Sequence, residues 1–174
     1  FLETREIRQL GRFQIEKEIG QGGLGRVYKA YDTKLERMVA LKLLRRGTFA
    51  NEDEMNRFHE EARIVGQLQH PNICRLYESG AEKAQPYMVM EFIEGEPLSP
   101  WAQKMSPREI AQKIKEIADV LEYAHSKHII HRDIKPSNIM IRQENQPVLL
   151  DFGMARDVQR ESRLTRSGTF VGTL

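Results

Sequence analysis

The period of the apolar positions changes along the chain, and each change marks an element. Arg26-Val27-Tyr28-Lys29-Ala30-Tyr31 is β-prone with rough alternation and predicts a strand. From Asn51 the spacing becomes helical: Met55, Phe58, Ala62, Val65 and Leu68 recur at three- and four-residue steps. That predicts a helix capped by Asn51, running to about Gln69 with one face on a core. Tyr87-Met88-Val89-Met90-Glu91-Phe92 is apolar and predicts another strand. Near Glu94-Gly95-Glu96-Pro97 the character changes from strands with one long helix to mainly helical. Ser106-Pro107-Arg108-Glu109 is a helix start: a capping Ser, Pro in the first turn, and Glu three residues after the Ser. Ile110, Ile114, Ile117, Leu121 and Ala124 continue that helix on one face. Ile139-Met140-Ile141 and Val148-Leu149-Leu150 are short apolar strands, and residues 1–11 read as a polar, loosely attached lead-in.

Composition changes this picture little. Of 174 residues, 40% are apolar and 30% charged, an ordinary balance for a globular domain. A net charge of +2 with dispersed basic residues gives no case for nucleic acid, and Arg45-Arg46 is too short a patch. No run approaches the ~20 apolar residues of a membrane span. Cys74 is the single cysteine, so no internal disulfide forms; it reads as a buried, inert thiol suited to a reducing compartment.

The chemistry concentrates in two segments that the short apolar strands bracket. His131-Arg132-Asp133-Ile134-Lys135-Pro136-Ser137-Asn138 offers an Asp, a Lys and an Asn at short spacing, and Asp151-Phe152-Gly153 adds a second Asp. Phosphoryl transfer needs a carboxylate at the acceptor hydroxyl, oxygen ligands for divalent metal, and a cation to screen the moving charge. Upstream, Gly20-Gln21-Gly22-Gly23-Leu24-Gly25-Arg26-Val27 fits a Gly-x-Gly-x-x-Gly-x-Val pattern. Dinucleotide-binding folds use a similar one, but theirs opens into a helix, whereas this one continues as a strand and reads as a strand–turn–strand flap. On these segments the chain resembles a eukaryotic-like serine/threonine protein kinase of bacterial style. Val39-Ala40-Leu41-Lys42 and His70-Pro71-Asn72-Ile73 add to the resemblance.

The resemblance implies an α+β, protein-kinase-like two-lobe fold: a small antiparallel-sheet lobe with one long helix, and an incomplete helical large lobe. Residues 12–93 would be the small lobe with the hinge, and residues 94–174 the first part of the large lobe. ATP and Mg²⁺, with Mn²⁺ as an alternative ion, are the implied cofactors. Lys42 would hold the α- and β-phosphates, fixed by Glu61 on the predicted helix rather than by Glu60, which reads as a surface charge. Gly20, Gly22, Gly25, Val27, Ala40 and Met140 would line the nucleotide site. Met90 would be the gatekeeper, and the backbone of Glu91 and Ile93 would bond the adenine edge. Asp133 would orient the acceptor hydroxyl and Lys135 would stabilise the γ-phosphoryl charge. Asn138 and Asp151 would hold the metal. His131 would stack with Phe152, Val65 and Leu76 in a buried column, not bind metal with His125 and His128.

Lys135 two residues after Asp133, and Thr173, point to serine/threonine acceptors on protein substrates. Arg132 with Arg156 would form a pocket for an activation-loop phosphate on Thr165, Ser167 or Thr169. The resemblance leaves room for self-association and places the kinase portion in the cytoplasm, with any membrane anchor outside this chain. The Ala-Pro-Glu element expected shortly after Thr173 is absent from this sequence. The chain is therefore expected to be an N-terminal piece of a longer kinase and a poor catalyst alone. A pseudokinase scaffold and a small-molecule kinase are the alternatives; a scaffold usually lacks a key Lys or Asp, and Lys42, Asp133, Asn138 and Asp151 are all present.

Overall fold

The computed structural model describes residues 9–23 and 25–152. These divide into two compact units, residues 9–46 with Arg75–Ile93, and Gly47–Cys74 with residues 94–152. No described helix is long and apolar enough to cross a membrane.

The first unit is an antiparallel sheet built from β1 (Gln9–Leu10), β2 (Phe13–Gly22), β3 (Gly25–Asp32), β4 (Arg37–Leu44), β5 (Leu76–Glu82) and β6 (Gln85–Glu91). Its strand order is β1-β2-β3-β4-β6-β5. The last lead-in residues are not loose: Gln9 and Leu10 pair with Gln14 and Phe13, and Leu10 is buried. Its apolar side chain joins the sheet core, which outweighs the polar character of the preceding residues.

The β3–β4 register runs unbroken from Gly25↔Leu44 to Asp32↔Arg37, and β4 continues it onto β6 with Ala40↔Met90 and Lys42↔Met88. Facing residues share a side of a sheet and neighbours along a strand alternate. Ala30, Val39, Leu41, Leu43 and Val89 therefore share one face, and there they form a core cluster with Leu10 and Phe13. Val27, Lys29, Ala40, Lys42, Met88 and Met90 take the other.

The second unit holds α1 (Glu52–Val65), α2 (Leu98–Ala102) and α3 (Pro107–Ser126), with β7 (Gly95–Pro97), β8 (Ile139–Arg142) and β9 (Gln146–Leu149) in one antiparallel sheet. Asn51 caps α1 by accepting from the Glu54 N–H at 2.9 Å. The helix ends at Val65, short of the expected Gln69. Gln67 and Leu68 instead donate to Ile64 and Val65, i→i+3 bonds that tighten the exit ahead of Pro71. Leu68 is still buried, because this tight turn carries it into the core.

Ser106 and Glu109 cap α3 reciprocally: the Ser106 N–H donates to Glu109 at 2.8 Å, and the Glu109 N–H donates to Ser106 Oγ. The buried line of α3 is Lys113, Ile117, Val120 and Ala124. Ile110 and Leu121 flank it, but Ile114 is 59% exposed, a departure from the expected stripe. At 100° per residue Ile114 falls one step outside the buried line. Cys74 is likewise half-buried rather than buried; its N–H donates to Leu149 at the edge of the β9 strand.

Candidate active site

The first half of the candidate site lies on the first unit's sheet. The glycine-rich segment closes the β2–β3 hairpin, with Gly22 facing Gly25 and Gly20 facing Val27. This is the strand–turn–strand flap that the flanking residues implied. Gly25 is glycine for an internal reason: a Cβ there would run into the carbonyl oxygen of Leu43 on β4. Gly20 and Gly22 have no such reason. Neither has a positive φ, and among the described residues nothing crowds a Cβ at Gly22, while Gly20 would make only ordinary contact with Val27. Among the described residues neither conformation nor packing demands glycine at these two positions.

Lys42 sits mid-β4 between Val27 on β3 and Met88 on β6. Val27, Ala40, Lys42 and Met90 thus occupy the sheet face opposite the Val39, Leu41 and Leu43 cluster, and Ala40 and Met90 are themselves buried there. The Glu91 N–H donates to the Arg75 carbonyl at 2.8 Å, so any base contact at Glu91 falls to its carbonyl. Ile93 is buried just beyond the strand. Two breaks in the β2–β3 register leave Glu16 and Ile19 as extra residues. Sequence reading passed over Ile19. It is 43% exposed despite its apolar side chain, directly before Gly20.

The second half is assembled around the backbone of Leu150. Its N–H donates to the Asn138 carbonyl at 2.8 Å, and its carbonyl pairs with His131 Nε2 at 2.7 Å. One residue thereby ties the segment carrying Asp151 to both ends of the loop carrying Asp133. The Asp133 N–H donates to His131 Nδ1, which makes Nε2 the protonated nitrogen that donates to Leu150. His131 is almost fully buried, and burial pushes its pKa below the ordinary value, in keeping with a neutral ring. The Phe152 ring lies 4.6 Å from it, centre to centre. Phe152 belongs to the second unit's core, against which Val65 also packs. His131 is thus a structural residue of the loop, as expected.

Within the loop, Lys135 Nζ reaches Asp133 Oδ2 at 2.8 Å. Asn138 Nδ2 donates to the Asp133 carbonyl at 2.8 Å and to Oδ2 at 3.2 Å. These two bonds fix the amide's orientation and turn Asn138 Oδ1 away from Asp133. Asn138 Oδ1 and the Asp151 carboxylate are hard oxygen donors, the kind Mg²⁺ accepts alongside phosphate oxygens and water. Among the described residues no cluster of three or more His, Cys, Asp or Glu side chains is placed to hold a metal ion. Arg132 and Asp151 both have left-handed φ, 65° and 47°. Non-glycine residues there cost energy and are held by their surroundings. Met140 follows on β8 and is half-buried.

Of the two glutamates weighed on α1, Glu60 is exposed and pairs with Arg63 at 3.0 Å. Glu61 is half-buried beside Ala62. Gly153, Arg156, Thr165, Ser167, Thr169 and Thr173 lie outside the described residues. His70-Pro71-Asn72 forms a turn, and Asn72 Nδ2 donates to the Pro147 carbonyl at 2.6 Å, bracing the strand that leads to Asp151. Sequence reading did not find Tyr123, whose hydroxyl accepts from the Gln69 N–H and donates to the Gln69 carbonyl. Nor did it find Arg12, which bonds Asp32 at 2.9 Å and Glu78 at 2.7 Å. A side chain bonding across 54 or 66 residues leaves no local signal.

Residues 13–174 match the protein kinase domain. The probable serine/threonine-protein kinase PknB of Bifidobacterium longum is 38% identical over 94% of this chain, which covers 26% of that protein. Serine/threonine-protein kinase PknE of Mycobacterium bovis is 35% identical over 99% of this chain, which covers 31% of that protein. The chain thus spans about a quarter to a third of the length of these relatives. Among solved structures, "PpkA-294 apo form" superposes with a TM-score of 0.74 at 29% identity, covering 90% of this chain and 64% of that one. The Mycobacterium tuberculosis PknI kinase domain, at 24% identity and a TM-score of 0.72 over 84% of this chain and 61% of its own, shares the fold. With the glycine flap, the Asp133 loop and the Asp151 segment all falling inside the matched span, the chain belongs to the protein kinase family.

Proposed function

We propose that the protein of which this chain is part transfers the γ-phosphoryl group of ATP to serine and threonine hydroxyls of proteins. The observation that carries this reading is the Asp133 loop. Lys135 and Asn138 both hold Asp133 Oδ2, and Leu150 ties that loop to Asp151. In this reading residues 12–93 hold the nucleotide and residues 94–174 carry the catalytic, metal-binding and activation loops. Gly20 and Gly22 admit the phosphates, and Lys42 binds them, paired with Glu61. Val27, Ala40, Met90 and Met140 enclose the base, which bonds the Glu91 carbonyl and the Ile93 backbone. Asp133 receives the acceptor proton and Lys135 screens the charge spreading over the phosphoryl oxygens. Asn138 and Asp151 would hold Mg²⁺, which would supply positive charge to offset that of the phosphates. Positioning and electrostatics supply most of such a barrier reduction.

Arg132 and Arg156 are read as a receptor for a phosphate on Thr165, Ser167 or Thr169, and the reaction belongs where ATP is, in the cytoplasm. The test is to incubate the full-length parent with radiolabelled ATP and a protein acceptor, then identify the phosphorylated amino acid. Label on serine or threonine, abolished by Lys42→Ala and by Asp151→Asn, is the expected result. Label on a small molecule, or none from a parent that binds ATP, overturns it.

A further inference from the structure

One cation on the candidate nucleotide face has no part in the reading above. Lys29 lies two residues from Val27 on β3 and faces Ala40, so it shares the side of the sheet that carries Lys42 and Met90. Among the described residues its ammonium meets Glu16 and Phe92. Glu16 holds it at 2.8 Å, and the Phe92 ring lies beneath it with its centre 5.4 Å away, within cation–π range. Glu16 is the extra residue where the β2–β3 register shifts between Ile15↔Ala30 and Lys17↔Lys29. Such bulges re-aim a side chain, here onto Lys29. Phe92 stands between Glu91 and Ile93, the two residues read as bonding the base. Strands β3 and β6 are two spacings apart, about 10 Å, with only the small Ala40 side chain between them in this row.

We propose that Lys29 is a positioning residue for the nucleotide: bound to Glu16 and to Phe92, it clasps the glycine flap to the segment that receives the base. The proposal rests on the nucleotide-site reading. The clasp sets the gap between the flap strands and the 91–93 backbone, so it governs how well ATP fits rather than the transfer step.

The experiment measures MgATP affinity calorimetrically, and KM and kcat, for the full-length parent and for Lys29→Met, Lys29→Arg, Phe92→Leu and the Lys29→Met/Phe92→Leu pair. Lys29→Met and Phe92→Leu should each weaken ATP binding about three- to tenfold, with kcat within about twofold of the parent. The pair should be no worse than either single change, since both break one clasp. Lys29→Arg, which keeps the cation, should bind as the parent does. General destabilisation would not produce this separation of KM from kcat with rescue by arginine. If the parent binds ATP and Lys29→Met binds it equally well, or if the two single effects simply add, the clasp is wrong. If the parent does not bind ATP, the nucleotide-site reading fails first and the clasp with it.

Discussion

Replacing Asn138 with Asp tests the geometry of the catalytic loop directly. The change keeps size and an oxygen ligand but removes the amide that donates to the Asp133 carbonyl and to Oδ2. In its place a second carboxylate stands about where Nδ2 was, 3.2 Å from Oδ2. Two like charges ~4 Å apart repel by about 4 kcal/mol at the effective dielectric of a partly buried site. Lys135, 2.8 Å from Asp133 Oδ2, relieves a large share of this. Taking about half as remaining, and adding roughly 1 kcal/mol for each lost bond, gives about 4 kcal/mol at neutral pH without metal. For a chain of this size that is a fall of roughly 10 °C in unfolding temperature. The sign of the pH dependence follows. Repulsion raises the folded-state pKa of the pair above the unfolded carboxylate value, so the folded variant holds a proton the unfolded chain has lost. Its deficit should therefore be largest near about pH 8 and shrink toward about pH 5, as one carboxyl protonates. Added Mg²⁺ should narrow the gap at high pH, because the ion sits well with two carboxylates. Urea unfolding of the parent and of Asn138→Asp at both pH values, with chelator and with Mg²⁺, measures this. Equal stability at high pH, or a deficit that does not change with pH, would refute the loop geometry.

Asp133→Asn in the full-length parent should leave ATP affinity within about twofold and cut turnover by about a hundredfold or more, as seen by calorimetry beside a transfer assay. Normal turnover would reject the role of Asp133. Gly25→Ala should destabilise the sheet by about 2 kcal/mol, because the new Cβ meets the Leu43 carbonyl, whereas Gly22→Ala should leave stability nearly unchanged and weaken ATP binding; thermal unfolding and calorimetry separate the two. Asp32 is buried, which pushes its pKa up, but bonds from Arg12 and from the Lys34 and Leu35 N–H groups outweigh burial and hold it below the ordinary value. That stability is present above the unfolded carboxylate pKa and is lost as pH falls through the depressed value. Arg12→Ala should cost about 3 kcal/mol at neutral pH and weaken this acid dependence, since the Lys34 and Leu35 N–H bonds remain, as urea unfolding against pH would show. Tyr123→Phe should cost about 1–3 kcal/mol, since it strips both bonds from the Gln69 backbone; an unchanged urea midpoint would count against that tie.

Local chemistry wrote much of this protein into its sequence. Asn51 and Ser106 cap their helices through residues three positions away, so the signal and its effect occupy the same window. The Asp133, Lys135 and Asn138 contacts close within five residues, and a short loop has few ways to arrange them. Strand alternation separated Val27 from Ala30, and an unbroken register carried that separation onto Ala40, Lys42 and Met90.

Other features depended on partners distant in sequence. The exact exit of α1 at Val65 and the line of α3 that is buried became definite only in the folded chain, where Gln67 and Leu68 close a tight turn and Lys113, Ile117, Val120 and Ala124, not Ile114, meet the core. The bulges at Glu16 and Ile19 exist only once β2 is paired with β3, because a single strand has no register to break. Leu150 carries no chemical label in the chain, yet its backbone joins Asn138 to His131. Arg12 joins Asp32, 20 positions away, to Glu78, 66 positions away, only once the sheet has formed. Tertiary structure decides such groupings because a charge or a hydrogen bond acts through distance in space, and the order of residues leaves that distance open until the chain has folded.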